Sequence, residues 1–289
     1  MYPSRFHYEA PNTLDEAFDV LQAYGDEAKI LAGGQSLIPL IKLRFAAPAA
    51  IVDINNIPGL DYHEEDSDGS LRIGALCRHR TLERSPLLRS KFPVMTATAP
   101  LIADPMVRNR GTLVGSICHA DPQGDWASVM LALGGEIIAR NAEGRERSIP
   151  VSQFVVGPFQ NTLEDGEIAV GARVPAARGT RSGTYLKLER RVGDFATVGV
   201  AINLESSGGT INRAGIALTG VGGNNIQCSA AEQALAGKSL NASTIEQAAR
   251  LAAEAAQPKS DVRGTAEFKR HVVFTFVTRG LSNTQSQAA

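Results

Sequence analysis

Three strand-length segments, "TYLKLERR", "FATVGVAINLE" and "INRAGIALTGV", follow one another between Thr184 and Val221 with no helix between them. Strands joined by short turns pair antiparallel, because a parallel pair needs a long crossover connection. Helical patterns take over afterwards. Ser229 with Glu232, and Ser243 with Glu246, stand at capping-box spacing. A last helix is expected from about Thr265 to Arg279, with Phe268, Val272 and Phe276 spaced four apart and Gly280 as its exit. Strands first and helices after point to an α+β domain and away from a doubly wound parallel sheet.

The chain before Pro175 reads differently. "PNTLDEAFDVLQAYG" has Thr13 and Glu16 at capping spacing, one apolar face, and Gly25 as a stop. A short strand at Lys29–Ala32, a glycine turn, a helix from about Leu37 and a strand at Ala50–Asp53 make a small βα unit. Pro39 is tolerated in the first turn of that helix. Strands are expected in "SLRIGAL", "GEIIARN" and "EIAVGARVP", and a helix from Asp125 to Gly134. The glycine-containing stretch "AARGTRSG" is the expected boundary, giving domains 1–177 and 178–282 and a disordered tail at 283–289.

Composition removes several functions. Across 289 residues the net charge is -1 and no basic cluster stands out, which argues against nucleic-acid binding. No apolar run reaches the roughly 20 residues of a membrane span, and no secretory signal opens the chain, so a cytoplasmic protein is expected. The three cysteines are far apart, too few for an ordinary four-cysteine iron–sulfur site. Cys118, His119 and Asp121 lie too close in sequence to chelate one metal readily, and no metal site is expected. No catalytic nucleophile–base set declares itself.

Two glycine-rich turns carry the chemistry. In "ILAGGQSLIPLIKLR", Gly33 and Gly34 bare the backbone between a strand and a helix, which suits a phosphate. Gln35 and Ser36 add polar groups. The stretch "VRNRGTLVGSICHADPQGDW" repeats the texture with Gly111, Thr112, Gly115 and Ser116, followed by Asp121 and Asp125. Two such turns suit the two phosphates of one pyrophosphate, with a carboxylate for ring or sugar donors. Two unrelated tight turns explain each stretch taken singly. Neither turn is a dinucleotide fingerprint or an ATP-type P-loop.

Together these stretches resemble the FAD-binding medium subunit of the molybdenum hydroxylases, the carbon monoxide dehydrogenase and xanthine dehydrogenase group. Ala32-Gly33-Gly34-Gln35-Ser36 followed by Lys42-Leu43-Arg44 is similar to that family's first motif, with Gln35 in place of its usual histidine. Thr112-Leu113-Val114-Gly115-Ser116, then Ala120-Asp121-Pro122 and Asp125, is similar to the second, with Val114 replacing the first of paired glycines. "YLKLERRVGDFATVGVA" and the closing "DVRGTAEFKRHVVFTFVTRGL" resemble its C-terminal domain, so the likeness spans essentially the whole chain.

The resemblance implies a two-part FAD-binding domain, then a C-terminal domain with a three-stranded antiparallel sheet and a helical bundle. It implies FAD held by Lys29, Ile30, Leu31, Ala32, Gly33, Gly34, Gln35, Ser36 and Leu37 on one side. Gly111, Thr112, Val114, Gly115, Ser116, Ala120 and Asp121 would hold it on the other. Ile102, Asp125, Lys187 and Phe195 would lie near the rest of the cofactor. It implies an electron-transfer subunit working with a small iron–sulfur subunit and a large molybdopterin subunit, as a dimer of heterotrimers. The alternatives are a free-standing FAD oxidoreductase with its own substrate pocket, or a non-redox nucleotide-binding module.

Overall fold

The computed structural model describes residues 2–288, with side chains through Thr284. The helix Leu14–Tyr24 opens on Thr13, whose hydroxyl accepts from Glu16 N, and closes at Gly25 with φ +51°. Its buried Ala17 and Phe18 join the same apolar core as Ala50 and Val52. The strands His7–Glu9, Ala50–Asp53 and Ala28–Leu31 pair in that order, all parallel. The glycine turn leads from the last of these into the short helix Leu37–Lys42. The expected βα unit is therefore present.

A five-stranded antiparallel sheet follows, in the order His63–Glu65, Leu71–Gly74, Ile168–Val174, Glu136–Arg140 and Glu146–Pro150. Proline-started helices Pro86–Lys91 and Pro93–Thr98 cover "SPLLRSKFPVMTAT". The helix Asp125–Leu133 is buried at every position and stops at Gly134, φ +67°. Apart from Asp125 and Ser128 it is apolar all round, so it needs a neighbour on every side. It finds them in the segments around it and in the strands Val198–Ser207 and Thr210–Thr219 of the next sheet.

That next sheet is antiparallel and has four strands, Thr180–Leu188, Val198–Ser207, Thr210–Thr219 and Ile226–Gln227. The expected three are there; the fourth has two residues, too short to leave a periodic signal. Helices Ser229–Leu235, Ala242–Ala255 and Ala266–Ala288 complete the domain.

Several expectations about these helices need correction. Ser229 caps nothing. Glu232 instead accepts from Ile216 N at 2.9 Å and Gln227 Nε2 at 2.9 Å, so a tertiary bond takes the carboxylate. The capping box of the following helix is Asn241 with Thr244, not Ser243 with Glu246. Gly280 does not end the last helix, which continues through the expected tail to residue 288; residue 289 lies outside the described residues. A Cβ on Gly280 would come 2.5 Å from Ile202 Cδ1, so glycine is there to let helix and sheet close up. Among the described residues no helix is long and apolar enough to cross a membrane.

Candidate functional site

The first turn exposes donors. The backbone N–H groups of Gly33, Gly34, Gln35 and Ser36 have no acceptor among the described residues. Gly34 takes φ +74°, a conformation that favours glycine. Gln35 folds back, its Nε2 donating to Gly33 O at 3.1 Å, so this side chain braces the turn. Ser36 occupies the N-cap position of Leu37–Lys42 without capping it, which leaves its hydroxyl for a ligand. Leu37 and Ile38 begin the helix behind the turn, Ile30 and Leu31 lead in, and Lys29 is tied by its Nζ to Asp26 O at 3.1 Å.

The second turn runs into a helix that the glycine pattern concealed, Leu113–His119. Its N-cap is Thr112, whose Oγ1 accepts from Gly115 N at 3.1 Å. A Cβ on Gly115 would sit 2.6 Å from that oxygen, so the Thr112 side chain would have to shift to admit one. Val114 is 2% exposed and faces the core, away from any ligand surface. The departure from paired glycines thus falls on a position that packs. Ser116 follows one turn into the helix. Ala120 closes it in the left-handed region, φ +52°, and Asp121 Oδ1 then accepts from Gln123 N at 2.8 Å to start the next turn. His119 packs its ring on Phe159, centroids 5.1 Å apart, and burial pushes the Cys118 thiol up to about 12.

The two turns touch. A Cβ on Gly33 would fall against Arg110 O and 2.7 Å from Gly111 Cα, so the backbones of two distant segments lie in contact there. Gly111 is equally confined, with its missing Cβ 2.7 Å from His79 Nε2. His79 Nδ1 accepts from Trp126 Nε1 at 3.0 Å, and burial, with help from Arg108 and Arg78, lowers this imidazole to about 3. His79 is therefore a neutral packing residue beneath the second turn.

Around the junction stand residues that no motif marks. Asn55 Nδ2 donates to Ala32 O at 2.8 Å, and Arg78 Nη1 donates to Arg110 O at 2.7 Å. Arg78 Nη2 donates to Asn55 Oδ1, closing a bridge between the turns. Asp53 accepts from Tyr8 at 2.6 Å and from Asn55 N at 2.9 Å. Burial raises the Asp53 carboxyl, but these hydrogen bonds and the Arg110 charge outweigh it and hold it below the usual range. Arg78 occurs in "LCRHR" and Asn55 in "DINN", stretches that give no sequence hint of this role.

Asp125 lies apart from this junction in a second polar group. Its carboxylate accepts from Tyr185 Oη at 2.6 Å and Lys187 Nζ at 2.9 Å. Lys187 also donates to Leu101 O at 3.0 Å, and its side chain is 2% exposed. Thr219 Oγ1 accepts from Tyr185 at 3.1 Å and shares a hydrogen with Ser128 Oγ at 2.6 Å. Burial raises the Asp125 carboxyl, opposed by Lys187 and Tyr185; burial and Asp125 together push the Tyr185 phenol well up. The group ties the helix Asp125–Leu133 to the last sheet. Ile102 follows the carbonyl that Lys187 holds, and Ile102 O accepts from Arg108 at 2.9 Å. Arg108 is buried and paired with Glu83 at 3.1 Å. Phe195 is 51% exposed on the loop after Asp194.

A parallel βα unit, an antiparallel five-stranded sheet and a meander domain, with a donor-bearing turn in contact with a second glycine turn, define a two-domain protein built to hold an extended anionic cofactor. Residues 4–177 match the family model described as the FAD binding domain in molybdopterin dehydrogenase, and residues 183–284 match the CO dehydrogenase flavoprotein C-terminal domain. The chain is 38% identical to the carbon monoxide dehydrogenase medium chain of Hydrogenophaga pseudoflava, with 100% of each chain covered. It is 36% identical to the glyceraldehyde dehydrogenase medium chain of Sulfolobus acidocaldarius over 94% of this chain and 96% of that one. Solved structures agree. Carbon monoxide dehydrogenase from Hydrogenophaga pseudoflava superposes with a TM-score of 0.93 over 99% of both chains, at 38% identity. Quinoline 2-oxidoreductase from Pseudomonas putida 86 gives 0.90 at 32% identity over 100% of this chain and 99% of that one. The chain belongs to this family, the FAD-binding medium subunits of molybdenum hydroxylases.

Proposed function

We propose that this chain is the electron-transfer flavoprotein subunit of such a complex, holding the FAD pyrophosphate between Ala32–Ser36 and Thr112–Ser116. The observation that carries the reading is the row of N–H groups from Gly33 to Ser36, with the Ser36 hydroxyl, at a junction with the second turn. Backbone donors without protein acceptors suit phosphate oxygens, and the exposed Arg110 guanidinium supplies positive charge nearby. The residues present therefore fit the cofactor. Bound FAD supplies the redox chemistry, and the chain binds and orients it.

In this reading Ile102, Lys187 and Phe195 stand toward the flavin ring. The Leu101 carbonyl links the Ile102 loop to Lys187, and Gly193, in the loop that carries the exposed Phe195, lies against Ala103. Asp125, whose two oxygens already accept from Tyr185 and Lys187, acts by holding Lys187. Electrons reach FAD from iron–sulfur clusters of a small partner subunit and leave to an external acceptor, while substrate is oxidised at molybdopterin in a large partner. A cytoplasmic dimer of heterotrimers is the assembly we propose. The names of relatives as medium chains support a multi-subunit complex, and three cysteines leave no room for an ordinary cluster here.

The test is isolation of the tagged chain from cells that also express its neighbouring reading frames. The reading predicts a flavin absorbance in a complex with a Cys-rich small subunit and a large subunit, bleached on adding the complex's substrate. An active flavoprotein that purifies without partners contradicts it, and so does a bound flavin that no reductant bleaches.

A further inference from the structure

The two turns hang from different parts of the fold. The first follows the strand Ala28–Leu31 of the parallel sheet; the second precedes the helix Leu113–His119, which packs against the strand Ile168–Val174 of the five-stranded sheet. Their direct contact at Gly33 and Gly111 is one of backbone against backbone, and no main-chain hydrogen bond joins Gly33 or Gly34 to residues 110–112 among those described. Close contact limits how near the turns come, but it does not stop them sliding or parting. Something else must set their spacing.

We propose that Asn55 and Arg78 are positioning residues for the cofactor, a bridge that holds the two phosphate turns at a fixed separation by tying Ala32 O to Arg110 O. Asn55 lies just after the strand Ala50–Asp53, and Arg78 lies just before the helix His79–Arg84. Each reaches the turn nearest to it, at 2.8 Å and 2.7 Å, and they meet through Arg78 Nη2 and Asn55 Oδ1. The Asn55 amide is fixed from behind by Asp53, which also accepts from Asn55 N at 2.9 Å. The guanidinium suits this task because its planar fork aims two donors in set directions. The Ala32 carbonyl shares its peptide with the open Gly33 N–H, so holding it orients that donor. The Arg110 carbonyl shares its peptide with the Gly111 N–H, which donates to Val107 O at 2.7 Å, so the bridge there grips a backbone already fixed within the second turn. Pre-setting two half-sites removes an ordering cost that the ligand otherwise bears on binding.

This inference rests on the FAD reading, and the experiment separates the two. FAD is titrated into the apo form of the full chain, followed by the fluorescence of its single tryptophan, Trp126, and of the flavin. ADP, which carries the pyrophosphate without the flavin, is the competing probe. The chains compared are wild type, Asn55→Leu, Arg78→Lys, and the double variant. The bridge predicts that each single change weakens both FAD and ADP by roughly tenfold or more. The double variant is then no weaker than the worse single, because either break opens the same bridge. A thermal scan of each apo chain separates this from simple loss of fold, since weakened binding must persist far below the melting midpoint. Arg78→Lys keeps the charge and loses the fork, so it carries the test if Asn55→Leu does not fold. Variants that bind both ligands within twofold of wild type overturn the bridge and leave the flavoprotein reading standing, and so do losses that multiply in the double variant. A wild-type chain that binds no FAD overturns the flavoprotein reading and the bridge with it.

Discussion

Two polar regions of this protein stand in opposite states. At the turn Gly33–Ser36, consecutive backbone donors have no protein acceptor among the described residues. At the Asp125 group, a carboxylate, an ammonium, a phenol and two hydroxyls are enclosed and bonded to one another. Buried polar groups are ordinarily paired, and Gly33 and Gly34 are buried, so their open donors mark a place where the chain awaits something else. A closed network marks a joint. The comparison separates the turn that offers donors to phosphates from the enclosed group that ties the helix Asp125–Leu133 to the last sheet and fixes Lys187.

The largest effect tests the enclosed group. Asp125→Ala leaves the Lys187 ammonium enclosed beside Glu189 at 3.6 Å without its main partner, and removes the acceptor of Tyr185. Breaking one side of a buried pair costs about 3–5 kcal/mol, read as a lower denaturation midpoint. A loss below about 1 kcal/mol would show that the group is a bystander. On the binding side, Gly33→Val forces the two turns apart, because a side chain there meets Arg110 O and Gly111 Cα. FAD affinity should fall by roughly a hundredfold, about 3 kcal/mol, in an equilibrium titration.

A third prediction concerns the floor under the second turn. His79 is buried neutral, with its pKa lowered to about 3, whereas the unfolded chain returns it to about 6.5. Between those values the unfolded state binds the extra proton, so stability rises with pH and is lost as the solution is acidified. The His79 share is roughly 2 kcal/mol by pH 5, and His79→Gln, which keeps an acceptor for Trp126, should remove that part of the pH slope. Denaturant unfolding at pH 7 and pH 5 checks it; equal slopes in both proteins contradict it. The smallest effect is that of Ser36→Ala. Its hydroxyl caps nothing, so folding stability should hold within about 0.5 kcal/mol while FAD affinity drops several-fold. A destabilised protein with unchanged affinity would reverse the assignment.

What was legible in the sequence was local. The strand, glycine turn and helix from Ala28 to Lys42 announce themselves within fifteen residues, and so do Thr13, Gly25 and Gly134 at helix ends. The misreadings have tertiary causes. Glu232 sits three residues after Ser229 but is taken by Ile216 N, and Gly280 serves the packing on Ile202 instead of a helix end. Gly33 is the instructive case. Its bare backbone was readable as room for a phosphate, yet the atoms closest to its missing Cβ belong to Arg110 and Gly111. Asn55 and Arg78 left no trace in the pattern because their role depends on which carbonyls the fold brings near them.

The central claim is that the two turns together form one pyrophosphate seat. The most direct measurement is FAD binding by the apo chain and its Gly33→Val variant, with the stoichiometry and affinity read in the same titration. The account predicts one FAD per wild-type chain, displaced by ADP, and little or no FAD retained by the variant while its fold persists in circular dichroism. Stoichiometric FAD held by folded Gly33→Val at wild-type affinity would contradict it.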